Sequence, residues 1–518
     1  MPGVQRCEAV ERQFRFRVTV LSWWQVRIYL SGRGLRLTPT VHRVQRVLRA
    51  SRFTGRHATA SPILRGGGPT WFATTSTLLA GIAPLLLISS TPLSRGSSPA
   101  WIWAWVFTIL VGLRYAWLVA DGARRLFEVV FWLFAYVFLG LAPLVQMRSG
   151  IYPGTTLDLD LSRNGTAMVV IILGAAAFAV GSAAASSTPH DRPAGSAPKV
   201  RPARVLILSL CSLVFAAFYV SRVGLGTVLS SRSARSVAEV AQWPNPPVTA
   251  VVAALATFPL VAAFAALLVL RRQQRQVRPL VLLPVVLGAL IVLSNPVSSP
   301  RYVAGTAALS SLVALGAVAT VRRLRVFTVV LAVGLVLVFP YADIARNVGQ
   351  SGSDKTGGPA VVLSSPDFDA FDQINNSLAY VDKTSPVPGR QLFGALLFFV
   401  PRNVWSGKPQ DTGIALADFR GYKVTNLSAP LWAEAYVNGG WVGLVGLMAV
   451  LGAAVRRWDD RADRVRPRPN SPGVLATTLP FYVIIMLRGS LLQSMAGFTV
   501  LVVCGRFVAA PGAAELTG

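Results

Sequence analysis

The stretch VTAVVAALATFPLVAAFAALLVL, Val248 to Leu270, runs directly into RRQQRQVR, Arg271 to Arg278, and its reading decides the fold class. The apolar part holds no charged side chain. As a helix it would rise about 35 Å at ~1.5 Å per residue, more than the ~30 Å hydrocarbon core of a bilayer. It therefore predicts a transmembrane helix, and the arginines that follow mark the side on which it stops.

Working outward, runs of this kind recur along the chain. They fall at 71–91, 100–120, 126–147, 166–186, 204–221, 248–270, 278–294, 302–320, 325–341, 430–455, 473–489 and 490–510. The second carries Arg114, and the last pair reads equally as one re-entrant unit. Composition agrees: 53% of the 518 residues are apolar and 14% are charged, where a soluble domain carries about 25% charged residues. The expected fold is all-α, a polytopic integral membrane protein of about twelve transmembrane helices. Nine lie in 71–341 and three in 430–518.

Fifty basic residues against 21 acidic ones give a formal charge of +29. Such an excess fits either a nucleic-acid surface or basic cytoplasmic loops, and its distribution separates the two. Alternate short connections carry Arg124 and Arg125, Arg192 to Arg204, Arg271 to Arg278, Arg322 to Arg325, and Arg456 to Arg468, 19 bases in all. The intervening short ones carry seven, from Arg95 to Arg301. The asymmetry is topological, places both termini in the cytoplasm, and leaves no nucleic-acid partner to expect. Residues 1–70, with 13 Arg against Glu8 and Glu11, read as an Arg-rich cytoplasmic extension. Cys7, Cys211 and Cys504 are scattered, so no metal or redox centre is expected.

One connection differs. Residues 342–429 hold eight acids and eight bases, a neutral stretch in a basic protein, and read as one large extracytoplasmic loop. Connections beyond about 15 residues tend to carry function. The run QLFGALLFFV, Gln391 to Val400, suggests that it folds or dips into the membrane. GSDKTGG, Gly352 to Gly358, is a flexible tip without phosphate-loop spacing.

Charges at the membrane edge are costly and mark candidate sites. NPVSSPRY sets Arg301 at a helix edge. FPYADIARN places Asp343 and Arg346 on one face. FVPRNVWSGKP brings Arg402 and Lys408 beside Trp405. NLSAPLWAEAYVNGGWVG carries Glu434, Tyr436 and Asn438 into a helix, and MLRGS adds Arg488. Guanidiniums bind phosphate through two parallel hydrogen bonds and stay charged in apolar surroundings, and a carboxylate beside them can act as a general base. Each Arg also has a plain reading as a headgroup contact. Glu434 has one as a salt-bridge partner, and Asp367, Asp369 and Asp372 as a solvated face.

With FDQINNSL, Phe371 to Leu378, and PGRQLFGALLFFVPRNVWSGKP, Pro388 to Pro409, these clusters resemble the O-antigen polymerase-like, oligosaccharide repeat-unit polymerase family over roughly the second half of the chain. The resemblance implies a GT-C-type membrane glycosyltransferase in the bacterial cell (inner or plasma) membrane. It would join undecaprenyl-diphosphate-linked oligosaccharide units on the outer leaflet without cofactor or metal, alongside a flippase and chain-length regulator proteins. It implies Glu434 and Arg402 as catalytic groups. Arg301, Arg346, Lys408, Arg488, Tyr436, Asn438 and Trp405 would bind substrate.

Other readings fit less well. An O-antigen ligase resemblance would bring a His in the large loop, whereas the three here are His42, His57 and His190. Lipid-phosphate-sugar mannosyltransferases carry acids in the first outer loop, and TPLSRGSSPA has none. A lipid-oligosaccharide flippase would favour related halves and a charged central path.

Overall fold

The computed structural model describes residues 30–31, 34–35, 67–186, 199–273, 278–338, 359–386, 388–423, 427–464 and 473–510. The chain divides into two units, Met1–Ala60 and Ser61–Gly518. In the first, Leu30–Ser31 pairs antiparallel with Gly34–Leu35. The rest of the Arg-rich segment up to residue 66 lies outside the described residues.

The second unit is helical. In chain order it contains α1 (Gly68–Ser90), α2 (Trp101–Asp121), α3 (Leu126–Ser149), α4 (Leu161–Ser186), α5 (Pro202–Val223), α6 (Arg232–Gln242), α7 (Pro247–Gln273) and α8 (Arg278–Leu293). There follow α9 (Arg301–Leu315), α10 (Val321–Val333), α11 (Ala370–Thr384), α12 (Arg390–Leu396), α13 (Thr412–Phe419), α14 (Leu431–Arg464), α15 (Val474–Arg488) and α16 (Leu491–Val508). Eight of these, α1 to α5, α7, α14 and α16, are long and apolar enough to cross a membrane. The protein is polytopic. The others expected to span are shorter. α9 and α15 have 15 residues each, a rise of only about 22 Å. α9 stops at Gly316, whose φ of 109° ends a helix at low cost. α10 carries Arg322, Arg323 and Arg325 in its first turns and runs through a π turn to Val338, beyond which the expected segment is outside the described residues.

α3 is largely apolar and buried along its whole spanning length, as expected of a central helix. The outer helices turn apolar side chains such as Leu86, Trp103 and Val214 outward, which suits a lipid surface. The closest helix pair is α4 with α14. A Cβ on Gly181 would lie 1.9 Å from the Ala449 carbonyl oxygen, and one on Gly452 would lie 2.1 Å from that of Phe178. Only glycine permits backbones this close, the small-residue packing typical of membrane helices.

α14 is broken. Gly439 and Gly440 interrupt its helical geometry, and Gly440 has φ 56° and ψ −142°, a conformation reserved for glycine. An eight-residue half-helix, Leu431 to Asn438, therefore precedes a long membrane helix.

The connections expected on one side meet one another. Arg114 donates to Glu128 at 2.8 Å, which explains its place within a span; Arg125 and Arg456 also face Glu128, at 3.9 and 3.7 Å. Asp459 accepts the backbone N–H groups of Phe127 and Glu128, and Arg325 donates to the Ala120 carbonyl. At the opposite ends of the bundle, the starts of α9, α11 and α16 gather with the end of α15.

Candidate functional site

The first group of interest surrounds Glu434. Its half-helix buries it almost completely at the start of α16. Oε1 accepts the Leu491 backbone N–H at 3.0 Å and faces the Ser490 hydroxyl at 3.2 Å, and Oε2 accepts from Thr412 at 2.7 Å. A carboxyl at a helix N-terminus satisfies orphan donors and meets the positive end of the dipole. Asp411 stands beside it. It caps α13 through the Gly413 N–H at 3.0 Å and takes a short hydrogen bond from the same Ser490 hydroxyl. Burial pushes the Asp411 carboxyl up, against the Ser490 and backbone hydrogen bonds. Ser490 has one hydrogen and faces two carboxyls, so a further proton on one carboxyl completes the set. The sequence pointed to Glu434 but not to Asp411, Thr412 or Ser490, which reach it from separate segments.

The second group is ionic. Arg301 opens α9 and pairs with Asp367. Arg488 closes α15 and lies 3.7 Å from Asp367 and 3.5 Å from Asp369, also donating to the Pro366 carbonyl at 3.2 Å. Asp369 is buried, accepts from Ser428 at 2.9 Å, and is pushed up by burial against the pull of Arg488. The turn before Arg301 is held by Arg235, which donates to Ser299 at 2.8 Å and to the Leu293 carbonyl at 3.1 Å. Arg235 itself looked like an ordinary loop base. Both guanidiniums keep part of their surface open, at 20% and 27% exposure, so an anion can reach them. Arg488 is two residues from Ser490, which places the two groups within about 8 Å along the backbone.

A column of stacked rings leads toward the ionic group. Phe131 lies over Phe178 at 3.5 Å, Trp432 adjoins Phe131 and Phe134, Phe134 stacks on Phe138, and Phe138 on Phe368, the residue before Asp369. It ties the half-helix of Glu434 and the Asp369 turn to the buried α3.

The other expected residues lie apart. Arg402 is exposed and donates to the carbonyls of Lys408 at 2.8 Å and Pro409 at 3.2 Å. Lys408 donates to those of Phe398 and Val400. Burial, with Arg402 nearby, lowers the Lys408 ammonium. These cations close a small loop around the half-buried Trp405 and have no described contact with Glu434. Asn438 is a tether: its amide donates to the Glu434 carbonyl, and its side-chain oxygen accepts the Leu392 N–H, binding α12 to the break in α14. Tyr436 packs edge-on against Trp441 at 5.3 Å. Asp343 and Arg346 lie outside the described residues. Asp369 and Asp372, expected on a solvated face, are both buried. α11 turns that face inward against α3 and α4, and its exposed side begins only toward Lys383.

No family model, curated protein or solved structure matches this chain.

Proposed function

We propose that this protein is a membrane glycosyltransferase that joins undecaprenyl-diphosphate-linked oligosaccharide units into a polysaccharide at the outer face of a bacterial cell membrane. The observation that carries the reading is the convergence of Arg301 and Arg488 on Asp367 and Asp369, with Arg488 two residues from Ser490, whose hydroxyl faces the buried carboxyls of Asp411 and Glu434. A diphosphate would exchange with the aspartates for the two guanidiniums. The acceptor sugar hydroxyl attacks the anomeric carbon and gives its proton to the ionised member of the Asp411–Glu434 pair. The bond to the lipid diphosphate breaks, and its electron pair leaves on an oxygen that the guanidiniums stabilise. Arg402 and Lys408 then serve at the rim, as headgroup contacts of the 398–409 loop.

A lipid flippase is the competing reading, since a broken helix is a common element of transporters. Against it stands the ion cluster at the far end, where Arg114, Arg125 and Arg456 already occupy the buried Glu128 carboxyl and leave it no free charge to offer a passing substrate.

The test uses purified protein in lipid with an undecaprenyl-diphosphate oligosaccharide, product length being read on a gel. The expected result is a ladder of repeat units that is lost in Arg301→Ala and Arg488→Ala. A ladder unchanged in both variants removes the diphosphate site. Unpolymerised lipid moved between leaflets makes the protein a flippase.

A further inference from the structure

The buried face of α11 carries a polar group that the proposed reaction does not use. Asp372 is fully buried, and among the described residues neither of its carboxyl oxygens has a hydrogen-bond partner. The side-chain oxygens of Gln146 and Asn375, on equally buried residues, are also without a donor. Amide orientation does not account for this. Gln146 donates its amide to the carbonyls of Leu363 at 2.8 Å and Phe368 at 3.0 Å. Asn375 donates to the Asp160 carbonyl and to the Asn164 side-chain oxygen, each at 3.0 Å. Turning either amide over would set oxygen against oxygen.

The three residues share one neighbourhood. Asp372 and Asn375 are three apart on α11 and face the same way, with Cβ atoms about 5–6 Å apart. Phe368 lies four residues before Asp372, and its carbonyl accepts the Gln146 amide, which brings Gln146 to the start of α11. Four acceptor oxygens without donors, one carboxyl among them, are what a hard cation requires, since such ions take carboxylate and amide oxygens. An unpaired buried carboxylate is otherwise among the most costly groups in a protein.

Charge selects the ion. Asp369, the nearest other acid, already faces Arg488 and Ser428. Asp372 thus has one negative charge to offset. A divalent ion would leave a net positive charge buried. We propose that Asp372, Gln146 and Asn375 form a binding site for a single monovalent cation, taken as Na+, which fixes α11 against the end of α3.

The test is thermal unfolding of the purified full chain at constant ionic strength in NaCl, LiCl, KCl or choline chloride, with ²²Na+ binding measured alongside. The proposal expects the midpoint to rise by at least about 2 °C from choline to Na+, with one ²²Na+ bound per chain, and both effects absent in Asp372→Asn. Should that variant not fold, Gln146→Leu is expected to raise the half-saturating Na+ concentration about tenfold, as loss of one ligand oxygen implies. Equal midpoints in all four salts with no bound ²²Na+ overturn the proposal and leave a protonated carboxyl. In a parallel CaCl2 titration, stabilisation by Ca2+ but not Na+ overturns the charge argument. Neither measurement involves a glycan substrate, so the outcome is independent of the proposed reaction.

Discussion

Replacing Glu434 by Gln separates the two things this carboxyl can do. Gln keeps the shape and one acceptor oxygen. With that oxygen left toward the Leu491 N–H and Ser490, the new amide faces Thr412, whose hydroxyl accepts by rotating its hydrogen away. A charge-assisted hydrogen bond becomes a neutral one, a difference of about 1 kcal/mol. Loss of negative charge at the start of α16 adds ~0.3–1 kcal/mol. The expected cost is about 1–2 kcal/mol in total, and less where Glu434 is the protonated member of the pair. Ala differs, because the buried Leu491 N–H is left without an acceptor, at about 1–3 kcal/mol, and a cavity opens beside it, for about 3–5 kcal/mol together. Unfolding midpoints of both variants in one detergent give the stability order, and the gel assay on the same preparations gives activity. Glu434→Gln should unfold close to wild type and make no polymer, while Glu434→Ala should unfold well below it. A Gln variant as unstable as the Ala one would refute the hydrogen-bond argument. A Gln variant with a wild-type ladder would make Glu434 a helix cap and nothing more.

Three further expectations follow from the packing and the charges. Gly181→Ala places a methyl on the Ala449 carbonyl and should destabilise by about 1–3 kcal/mol or more; Gly446→Ala, on the facing helix α14 with open space around it, should unfold within about 0.5 kcal/mol of wild type. Gly440→Ala puts a side chain at φ 56° and ψ −142° and should cost about 1–3 kcal/mol, read as a lowered midpoint, with reduced polymer as the half-helix shifts. Burial, with Asp369 nearby, holds the Asp372 carboxyl well above its ordinary 3.8. The folded chain then binds that proton more tightly than the unfolded one, so the Asp372 contribution to stability in choline buffer should be full below 3.8 and be lost as pH rises through the raised value. Midpoints across that range should flatten in Asp372→Asn, and an unchanged slope would assign the effect to another group.

Much of the architecture could be read from hydropathy, because a bilayer demands long uncharged runs and the arginines between them alternate in number. All eight helices long enough to span coincide with expected segments. The short helices were harder to judge: hydropathy does not register where a backbone turns, so α9 reads as running past Gly316 and α14 reads through Gly439 and Gly440 without a break. Individual charges at the site were visible, since Arg301, Arg488 and Glu434 stand out in apolar surroundings. Their company was not. Asp411, Ser490 and Thr412 are ordinary loop residues until the fold carries them to one helix start, and Arg402 looks like a site residue until its guanidinium is found on two local carbonyls. Asp369 and Asp372 misled for a related reason. A helix of mixed polarity reads as solvated, and only the partners on its inner side show that its acids face a core.

The glycines of α14 give its two parts different mechanical roles. Beyond the break, backbone contact with α4 leaves no clearance for the helix to slide or turn. Before it, Leu431 to Asn438 are joined to the rest by a residue whose torsion angles only glycine takes readily. A ligand-driven rearrangement of α14 would fall to that short arm and to the Trp432 contacts that hold it, and Asn438 would pass it on to α12 through the Leu392 N–H. The long helix works as the fixed post of a hinge, and the leaf that swings on it carries the carboxyl.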